Sequence, residues 1–296
     1  STLNASTFIG GSSNDGVNDD LTIQNNYSSD DLHFNYGDVF RGEVIIDDND
    51  NIYVTSSTNS SDFPIEGSPT FLQGEQDAIV FKMSTGLDSL LFSRYLGGSD
   101  DDGGYSMKID NNGDLFVVGG TMSNDFPSSL SGVLIPYNGG VSDGFISKLN
   151  STNGFILAST YIGTNDYDQV FLIDIDNSNN VCVTGYYHET INFNPEGIPA
   201  LHTALGLRDG FILKLDSDGN YLWSHSIGGI FNLESAQSLT SDLSENLYVV
   251  GTFSSTVDFD PGPGDSTITA LGYTDGYILK LSNDGDFIWV RTITGE

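Results

Sequence analysis

Hydrophobic and polar residues alternate in short runs along most of the chain, and turn-forming residues separate one run from the next. No window sustains the roughly 3.6-residue periodicity of an amphipathic helix. The 35 glycines are spread through the sequence and interrupt every segment that could begin a helix. Short alternating runs bounded by Gly, Asn, Asp and Ser are typical of β-strands joined by tight turns. The pattern therefore predicts an all-β protein.

One of these runs recurs four times at intervals of 66 residues, and the rest of the chain is arranged around it. Each copy begins with an aspartate and ends with a lysine five residues later. The four copies are Asp77–Lys82, Asp143–Lys148, Asp209–Lys214 and Asp275–Lys280. Every copy is the third of four apolar runs, so the sequence predicts repeated modules of four strands each.

The first run of each module ends at an aspartate, and an Asn or Asp opens the second run four residues later. The four aspartates are Asp47, Asp110, Asp176 and Asp242. Short polar side chains between two apolar runs predict a tight hairpin, because they bond to the local backbone and tolerate positive φ. The alternative is a calcium loop, since residues 174–180 carry oxygen ligands at alternate positions. That loop lacks the glycine and the bidentate glutamate of an EF-hand, which favours the turn.

A single four-stranded antiparallel sheet cannot bury both of its faces, so copies of it must stack. Radial stacking of twisted sheets gives a β-propeller, whereas the coils of a β-solenoid are much shorter than 66 residues. We predict blades at residues 42–98, 99–164, 165–229 and 230–296 of the propeller. Residues 1–41 are predicted to hold a strand at 6–11, which matches the ends of later blades, and a polar insertion at 12–38 with a small hairpin.

Several motifs recur in register from Gly42 to Gly295 and carry a family resemblance. They are Asp-Gly-Phe-Ile-x-Lys-Leu, Gly-Asn-x-Leu-Trp-Ser, Ile-Gly-Gly, Asp-x3-Asn-Leu-Tyr-Val-x-Gly and Asp-Phe-x-Pro. Together they resemble the bacterial SBBP repeat, whose members form seven-bladed propellers. The resemblance implies exported or surface proteins, often adhesin-like, without established catalytic residues. The stretch Val257–Pro261 resembles large secreted proteins of Bacteroidetes-type bacteria.

Four blades are fewer than seven, so the resemblance raises the question of how the ring closes. Either the chain is a piece of a longer propeller whose remaining blades are its partners, or four to five blades close with the help of the N-terminal region. An open arc would leave a blade face bare, which soluble proteins seldom tolerate. We favour the piece of a longer, about seven-bladed propeller.

The formal charge of −32 arises from 41 acidic residues against nine lysines and arginines. Such a field repels nucleic acid and anionic membrane surfaces, so a nucleic-acid-binding role is excluded. No apolar run approaches the roughly 20 residues that span a bilayer, and membrane insertion is not expected. Low lysine with abundant Asp, Asn, Ser, Thr and Gly favours an exported bacterial protein, extracellular or at the cell surface. The single cysteine, Cys182, lies in an apolar run and is predicted to be a buried small residue.

Two repeated features suggest chemistry. Lys82, Lys148, Lys214 and Lys280 recur once per module, and we interpret them as structural partners of a carboxylate or of backbone carbonyls. The long loops at the other end of the blades gather acids that could hold Ca²⁺, which accepts six to eight oxygens in flexible geometry. The calcium candidates are Asp100, Asp102, Asp166, Asp168, Asp258 and Asp260. The alternative is solvated loops whose Phe and Pro pin the loop to its blade.

Enzymatic signatures are weak in this sequence. The four histidines occupy unrelated module positions without metal-ligand spacing, and Trp223 and Trp289 recur in register as expected of core residues. Paired carboxylates for glycoside cleavage are not visible in a sequence so rich in acids. We predict a non-enzymatic extracellular scaffold or adhesion module that binds glycan or protein through its long-loop face. The alternatives are a propeller hydrolase or lyase acting on polysaccharide, or a purely structural repeat arm of a giant surface protein.

Overall fold

The computed structural model describes residues 6–15, 42–68, 70–127, 137, 139–230 and 234–294. These residues form β-strands and no helix, as the alternating pattern predicts. The hairpin predicted within residues 12–38 falls mostly outside the described ranges. The strands are β1 Glu43–Ile46, β2 Ile52–Thr58, β3 Asp77–Met83, β4 Leu90–Leu96, β5 Asp102–Ile109, β6 Asp114–Thr121, β7 Asp143–Asn150, β8 Ile156–Ile162, β9 Gln169–Ile175, β10 Val181–Tyr187, β11 Thr190–Asn192, β12 Leu201–Thr203, β13 Asp209–Leu215, β14 Tyr221–Ile227, β15 Ser235–Ser241, β16 Leu247–Phe253, β17 Thr256–Asp258, β18 Thr267–Thr269, β19 Asp275–Leu281 and β20 Phe287–Ile293.

The strands form four sheets of four strands each, in the orders β1-β2-β3-β4, β5-β6-β7-β8, β9-β10-β13-β14 and β15-β16-β19-β20. Pairs of neighbouring strands run antiparallel, as in β2 with β3 and β16 with β19. Two small hairpins, β11–β12 and β17–β18, are inserted between the second and third strands of the last two sheets. The prediction of an all-β fold with four-stranded antiparallel propeller blades is confirmed. The number of blades in the whole propeller stays a prediction.

Strand burial differs from blade to blade, since the third strand β13 is buried throughout whereas the third strand β19 is not. In β19, residues alternate between buried and half-buried, which is the signature of a strand with one face on the core. In contrast, every residue of β10 is buried, as expected for a central strand covered on both faces. Cys182 lies in β10 and is fully buried, so its predicted role as a core residue is confirmed. Burial raises the pKa of its thiol to about 12.

The chain divides into two compact units, one of residues 1–131 and 145–159, the other of residues 132–144 and 160–296. In the first unit, β5 packs against β1, β2 and β3. In the second unit, β15 packs against β9, β10 and β13. Within each unit the first strand of one blade thus covers the blade before it, which is the stacking that buries a sheet with two apolar faces. Trp223 packs against the core of the second unit, as predicted from its repeat.

Residues 6–11 differ from the prediction of a blade strand. They adopt no strand conformation in the structure. The corner that follows is nevertheless built like the later ones. Gly11 N donates to Asp15 Oδ2 at 2.7 Å, and Gly98 N donates to Asp102 Oδ2 at 2.7 Å. The repeat is therefore visible here in its loop and not in its strand. The described part of the chain contains no helix that is long and apolar enough to cross a membrane.

A glycine marks the middle of the second strand in three blades, at positions 119, 185 and 251. The pairing of β9 with β10 shifts register between Thr184 and Gly185, so a bulge brings the two backbones close. A Cβ on Gly185 would lie only 1.9 Å from the carbonyl oxygen of Gln169. The bulge thus requires a residue without a side chain.

We expect Gly185→Ala to lower the free energy of unfolding by about 2–3 kcal/mol, because the backbone of β9 must move to admit the methyl group. Gly276→Ala is the matched control, since a Cβ at this strand position meets its nearest neighbour at 3.6 Å, an ordinary contact. Urea denaturation of both variants measures the difference. Equal stabilities for the two variants would show that the bulge relaxes at little cost.

Candidate functional site

The four hairpin aspartates hold the turns between the first and second strands. Asp47 Oδ1 accepts bonds from the backbone N–H groups of Asn49 and Asn51, each at 2.9 Å. Asp242 makes the same pair of bonds to Ser244 at 2.9 Å and Asn246 at 3.0 Å. The bond from the Asn246 side chain, with the backbone bonds, holds the pKa of Asp242 below its usual range. These bonds confirm the turn interpretation of the hairpin acids.

In every blade, the repeated lysine contacts the hairpin aspartate of its own blade. Lys82 Nζ lies 3.2 Å from Asp47 Oδ2, and the other three lysines repeat the pairing at 2.7–3.3 Å. The predicted structural role of the lysines is confirmed. The pairs are Lys82–Asp47, Lys148–Asp110, Lys214–Asp176 and Lys280–Asp242. Since each lysine serves its own hairpin, these cations belong to the scaffold.

Two of the six calcium candidates are fully buried. Asp102 Oδ2 accepts bonds from Gly98 N at 2.7 Å and Ser123 Oγ at 2.9 Å. Asp168 holds the next corner by accepting bonds from Thr164 and from the backbone N–H of His188, the latter at 2.9 Å. Burial raises the pKa of Asp102 well above its usual range and that of Asp168 to about 7. Both side chains therefore tie one loop to the end of a second strand.

The other four candidates lie nearer the surface, and two of them, Asp258 and Asp260, accept bonds within their own loop. Asp258 Oδ1 accepts bonds from the backbone N–H groups of Asp260 at 3.0 Å and Ser266 at 2.9 Å. Asp260 accepts a bond from Gly262 N at 2.8 Å. Asp100 is exposed and Asp166 is half-buried. Within the described residues, no three His, Cys, Asp or Glu side chains gather as a metal site would require. Calcium binding stays a prediction.

The aspartate that opens the third strand closes the long loop before it. Asp77 accepts bonds from Gln73 N at 3.0 Å and Gly74 N at 3.1 Å. Asp209 and Asp275 accept the corresponding bonds from Leu205 at 3.2 Å and Leu271 at 2.7 Å. Burial raises the pKa of Asp77 and of Asp209 to about 6. The loop phenylalanines are buried as predicted and pin these loops to the blades: they are Phe63, Phe126, Phe193 and Phe259.

A cleft of about 500 Å³ opens within the second unit, beside the two inserted hairpins. Its lining comes from five sources: strand β12, the loop between β12 and β13, the ends of β13 and β14, the corner after β14, and the hairpin β17–β18. The volume lies in the range of ligand sites in proteins. The lining residues are Leu201, His202, Thr203, Leu205, Asp209, Ser226, Gly228, Gly229, Ile230, Thr256, Asp258 and Thr267.

The cleft combines exposed apolar side chains with a few polar groups. Leu201, Leu205 and Ile230 are largely exposed. Asp209 lies in the lining with its carboxylate accepting a bond from Ser226 Oγ at 3.2 Å, and Ser226 is 2.7 Å from the hydroxyl of Tyr187. Two carboxylates line the cleft, Asp209 and Asp258, and none of its described lining residues is a lysine or arginine. The cleft is therefore suited to a ligand with apolar and cationic groups.

The histidines occupy separate places, as their unrelated module positions indicate. His202 Nε2 lies 2.8 Å from Ser224 Oγ, and His225 Nε2 lies 2.9 Å from the carbonyl oxygen of Gly285. His188 contacts the carbonyl oxygen of Tyr167. Burial lowers the pKa of all three imidazoles, so they are neutral at pH 7.

The sequence prediction placed the functional surface on the long loops but missed the hairpins β11–β12 and β17–β18. The signal for them is an alternating apolar residue flanked by Thr, Asn or Asp, as in Thr190–Asn192 and Thr256–Asp258. Ile191 and Val257 are buried at the centres of these strands. Runs of three residues are too short to be distinguished from loop by periodicity.

The SBBP family model, a beta-propeller repeat, matches residues 42–64 and 91–127. The matched residues include β1, β2, β5, β6 and nearly all of β4, in agreement with the blades seen in the structure. An uncharacterized WD repeat-containing protein of Acanthamoeba polyphaga mimivirus is 26% identical over 169 residues, which cover 48% of this chain and 12% of that protein. The chain thus spans about an eighth of the length of this relative.

Three solved structures share a distant likeness with the chain. A quinohemoprotein alcohol dehydrogenase of Pseudomonas putida has a TM-score of 0.39 at 11% identity, with 80% of this chain and 35% of that chain covered. A protein of unknown function from Bacteroides caccae has a TM-score of 0.30 at 11% identity, with 84% and 80% covered. BamB of Moraxella catarrhalis has a TM-score of 0.25 at 9% identity, with 86% and 76% covered. None of these likenesses bears on ligand or activity.

Proposed function

We propose that the chain is a non-enzymatic binding module of an exported bacterial protein, extracellular or at the cell surface. It acts as a scaffold or adhesion module and binds protein or glycan through its long-loop face. The observation that carries the proposal is the cleft beside the two hairpins, where exposed leucines and an isoleucine surround polar groups. The four repeated lysines and the hairpin aspartates serve the scaffold, and this loop surface is left for recognition.

The experiment measures binding of the purified protein to a glycan array and to immobilised peptides, with and without a change in the cleft. Leu205→Glu places a charge in the lining, and Leu271→Glu is the matched control. Both leucines follow the same loop pattern 66 residues apart and are exposed, at 60% and 80%, but only Leu205 lines the cleft. We expect Leu205→Glu to abolish binding and Leu271→Glu to preserve it. If Leu205→Glu and Leu271→Glu bind equally well, the ligand binds at a surface other than the cleft.

Calcium binding is tested separately, by thermal melting of the same purified protein. The six acids Asp100, Asp102, Asp166, Asp168, Asp258 and Asp260 predict that millimolar CaCl₂ raises the melting temperature more than MgCl₂ at equal ionic strength. EDTA is expected to remove this rise. Equal and small effects of the two salts would mean that the acids are a solvated coat and would withdraw the calcium prediction.

A polysaccharide hydrolase is the second candidate, on the strength of two carboxyl groups in one cleft. Burial raises the pKa of Asp209 to about 6, while Asp258 is exposed. Glycoside hydrolysis uses one protonated and one ionised carboxyl group. An enzyme would release reducing sugar from a polysaccharide, and the release would be lost in Asp209→Asn but kept in Asp275→Asn, the equivalent change in the next blade. If neither the wild type nor the variants release sugar, the hydrolase is excluded for the polysaccharides assayed.

A further inference from the structure

Both inserted hairpins have only two strands, so each keeps an open edge. Among the described residues, no third strand pairs with the sheets β11–β12 and β17–β18. An open strand edge presents unpaired N–H and C=O groups and is a ready template for another chain. Natural edges are usually protected by charge, proline or a covering loop. The edge of β12 carries an exposed leucine, Leu201, and a threonine, Thr203.

The register shows which backbone groups of β12 face outward. Phe193 N donates to Ala200 O, and Ala204 N donates to Glu189 O. In an antiparallel pair, hydrogen-bonded and non-hydrogen-bonded residues alternate, so His202 bonds across the hairpin to Ile191. The backbone groups of Leu201 and Thr203 then point away from β11. Both of these residues line the cleft.

The same alternation applies to β17 on the other hairpin. Phe259 N donates to Ser266 O, and Ala270 N donates to Ser255 O. The backbone groups of Thr256 and Asp258 therefore point away from β18, and both residues line the cleft. The cleft thus holds outward-facing backbone groups from two hairpins.

The side chains around these edges define what the cleft accepts. Leu201, Leu205 and Ile230 offer apolar surface, and the exposed carboxylate of Asp258 offers negative charge, whereas Asp209 is buried. The whole chain carries a formal charge of −32, which attracts cations to this surface. Main-chain pairing gives affinity in strand addition, while alternate side chains of the added strand select for sequence.

We propose that the cleft binds an extended cationic polypeptide segment, which adds as a strand to the open edge of β12. The backbone of the segment pairs with Leu201 and Thr203. Its apolar side chains contact Leu205 and Ile230, and one of its lysine or arginine side chains approaches the exposed carboxylate of Asp258. This inference rests on the proposed function as a binding module and narrows its ligand from protein or glycan to an extended peptide.

The test uses a fluorescein-labelled octapeptide of alternating Val and Arg, and its binding is followed by fluorescence anisotropy. Thr203→Pro removes the outward N–H from the edge of β12 and leaves the backbone hydrogen bonds within the hairpin intact. Thr269→Pro is the matched control, because Thr269 has the same position in β18 but does not line the cleft. Each change removes one Thr–Thr hydroxyl contact of 2.8 Å, so the two variants lose the same side-chain interaction within their hairpins.

We expect Thr203→Pro to raise the Kd of the Val–Arg octapeptide about tenfold or more. The variant loses at least one main-chain hydrogen bond to the peptide, and the proline ring keeps the peptide backbone away from the edge of β12. Thr269→Pro should leave its Kd within about twofold, the change expected where no hydrogen bond is lost. The corresponding octapeptide of Val and Glu should not bind, because its charge has the wrong sign. Asp258→Asn should lower the affinity for the cationic octapeptide and make that affinity less dependent on salt concentration. Asp265→Asn, in the same loop, should change neither quantity.

Two complementary peptides, each methylated on every second backbone nitrogen, keep the proposal testable if Thr203→Pro fails to fold. Strand addition uses one set of amides, so one methylated peptide should lose binding and the other should keep it. Equal binding of the two methylated peptides would overturn strand addition. Equal affinity of Thr203→Pro and Thr269→Pro for the unmethylated octapeptide would overturn it as well. Failure of all peptides alongside glycan binding that is sensitive to Leu205→Glu would overturn this inference and leave the proposed function standing.

Discussion

Replacing Lys214 by methionine is expected to lower the free energy of unfolding by about 3–5 kcal/mol, the loss typical of a buried ion pair deprived of one partner. Lys214 and Asp176 lie 2.7 Å apart, and their side chains are only 1% and 0% exposed. Lys214 also contacts the side chain of Asn283 and donates to its carbonyl oxygen at 3.4 Å. Methionine keeps the length of the side chain but leaves the Asp176 carboxylate buried without its cation.

Lys280→Met is the matched control, because Lys280 pairs with Asp242 in the same way one blade later. Its side chain and that of Asp242 are 16% and 31% exposed, so water solvates the carboxylate that remains and the loss should be much smaller. Urea denaturation followed by tryptophan fluorescence measures both variants. Adding Asp176→Asn to Lys214→Met should restore part of the lost stability, since the unpaired charge is then removed. Equal losses from the two lysines would mean that burial of the pair is unimportant.

The repeat predicts the lysine–aspartate pairing but not the difference among its copies. Equal spacing in the sequence puts Lys82, Lys148, Lys214 and Lys280 in equivalent places, so each finds the aspartate of its own hairpin. The deeper burial of Lys214 depends on Asn283, which lies 69 residues further along the chain. Such long-range packing leaves no local mark on the pattern of hydrophobic and polar residues.

The calcium candidates show a second limit of sequence reasoning. Asp100 and Asp102 look alike in an acidic run, as do Asp166 and Asp168. In each pair the structure buries the second residue and leaves the first at or near the surface. The buried member bonds to a residue about 20 positions away at the end of a second strand. Local composition predicts that acids gather on this rim, and only tertiary structure assigns them their roles.

The sequence predicts where the cleft lies, among the long loops, but not the two hairpins that line it. The long loops between second and third strands are visible in the sequence, and they include the residues from Asn192 to Arg208 that border it. The open edges of β12 and β17 arise because three-residue runs pair within these loops. The central residues of β11 and β17, Ile191 and Val257, are buried and anchor the two hairpins. Recognition of such hairpins requires knowledge of what lies beneath the loop.

Asp168→Asn is expected to remove one contribution to the pH dependence of the free energy of unfolding. Burial raises the pKa of Asp168 from 3.8 to about 7, so between these values the folded state binds a proton that the unfolded state lacks. The contribution of Asp168 to stability is therefore complete below about pH 4 and is lost as the pH rises through 7. At about 1.4 kcal/mol per pKa unit, the loss amounts to about 4 kcal/mol.

Asparagine does not titrate, so the variant escapes this loss. Its single side-chain oxygen keeps either the bond from the N–H of His188 or those from Thr164, and the loss of the other is a cost that does not vary with pH. We expect its free energy of unfolding, relative to that of the wild type, to rise by about 4 kcal/mol between pH 4 and pH 8. The buried histidines titrate in the same range, but their contributions cancel in the difference between the two proteins. Asp265→Asn is the control: hydrogen bonds from Thr267 lower the pKa of this exposed carboxyl, so its profile should run parallel to the wild type from pH 5 to pH 8. Parallel profiles for Asp168→Asn would place its carboxyl in contact with water and would remove the buried corner as the reason for the shifted pKa.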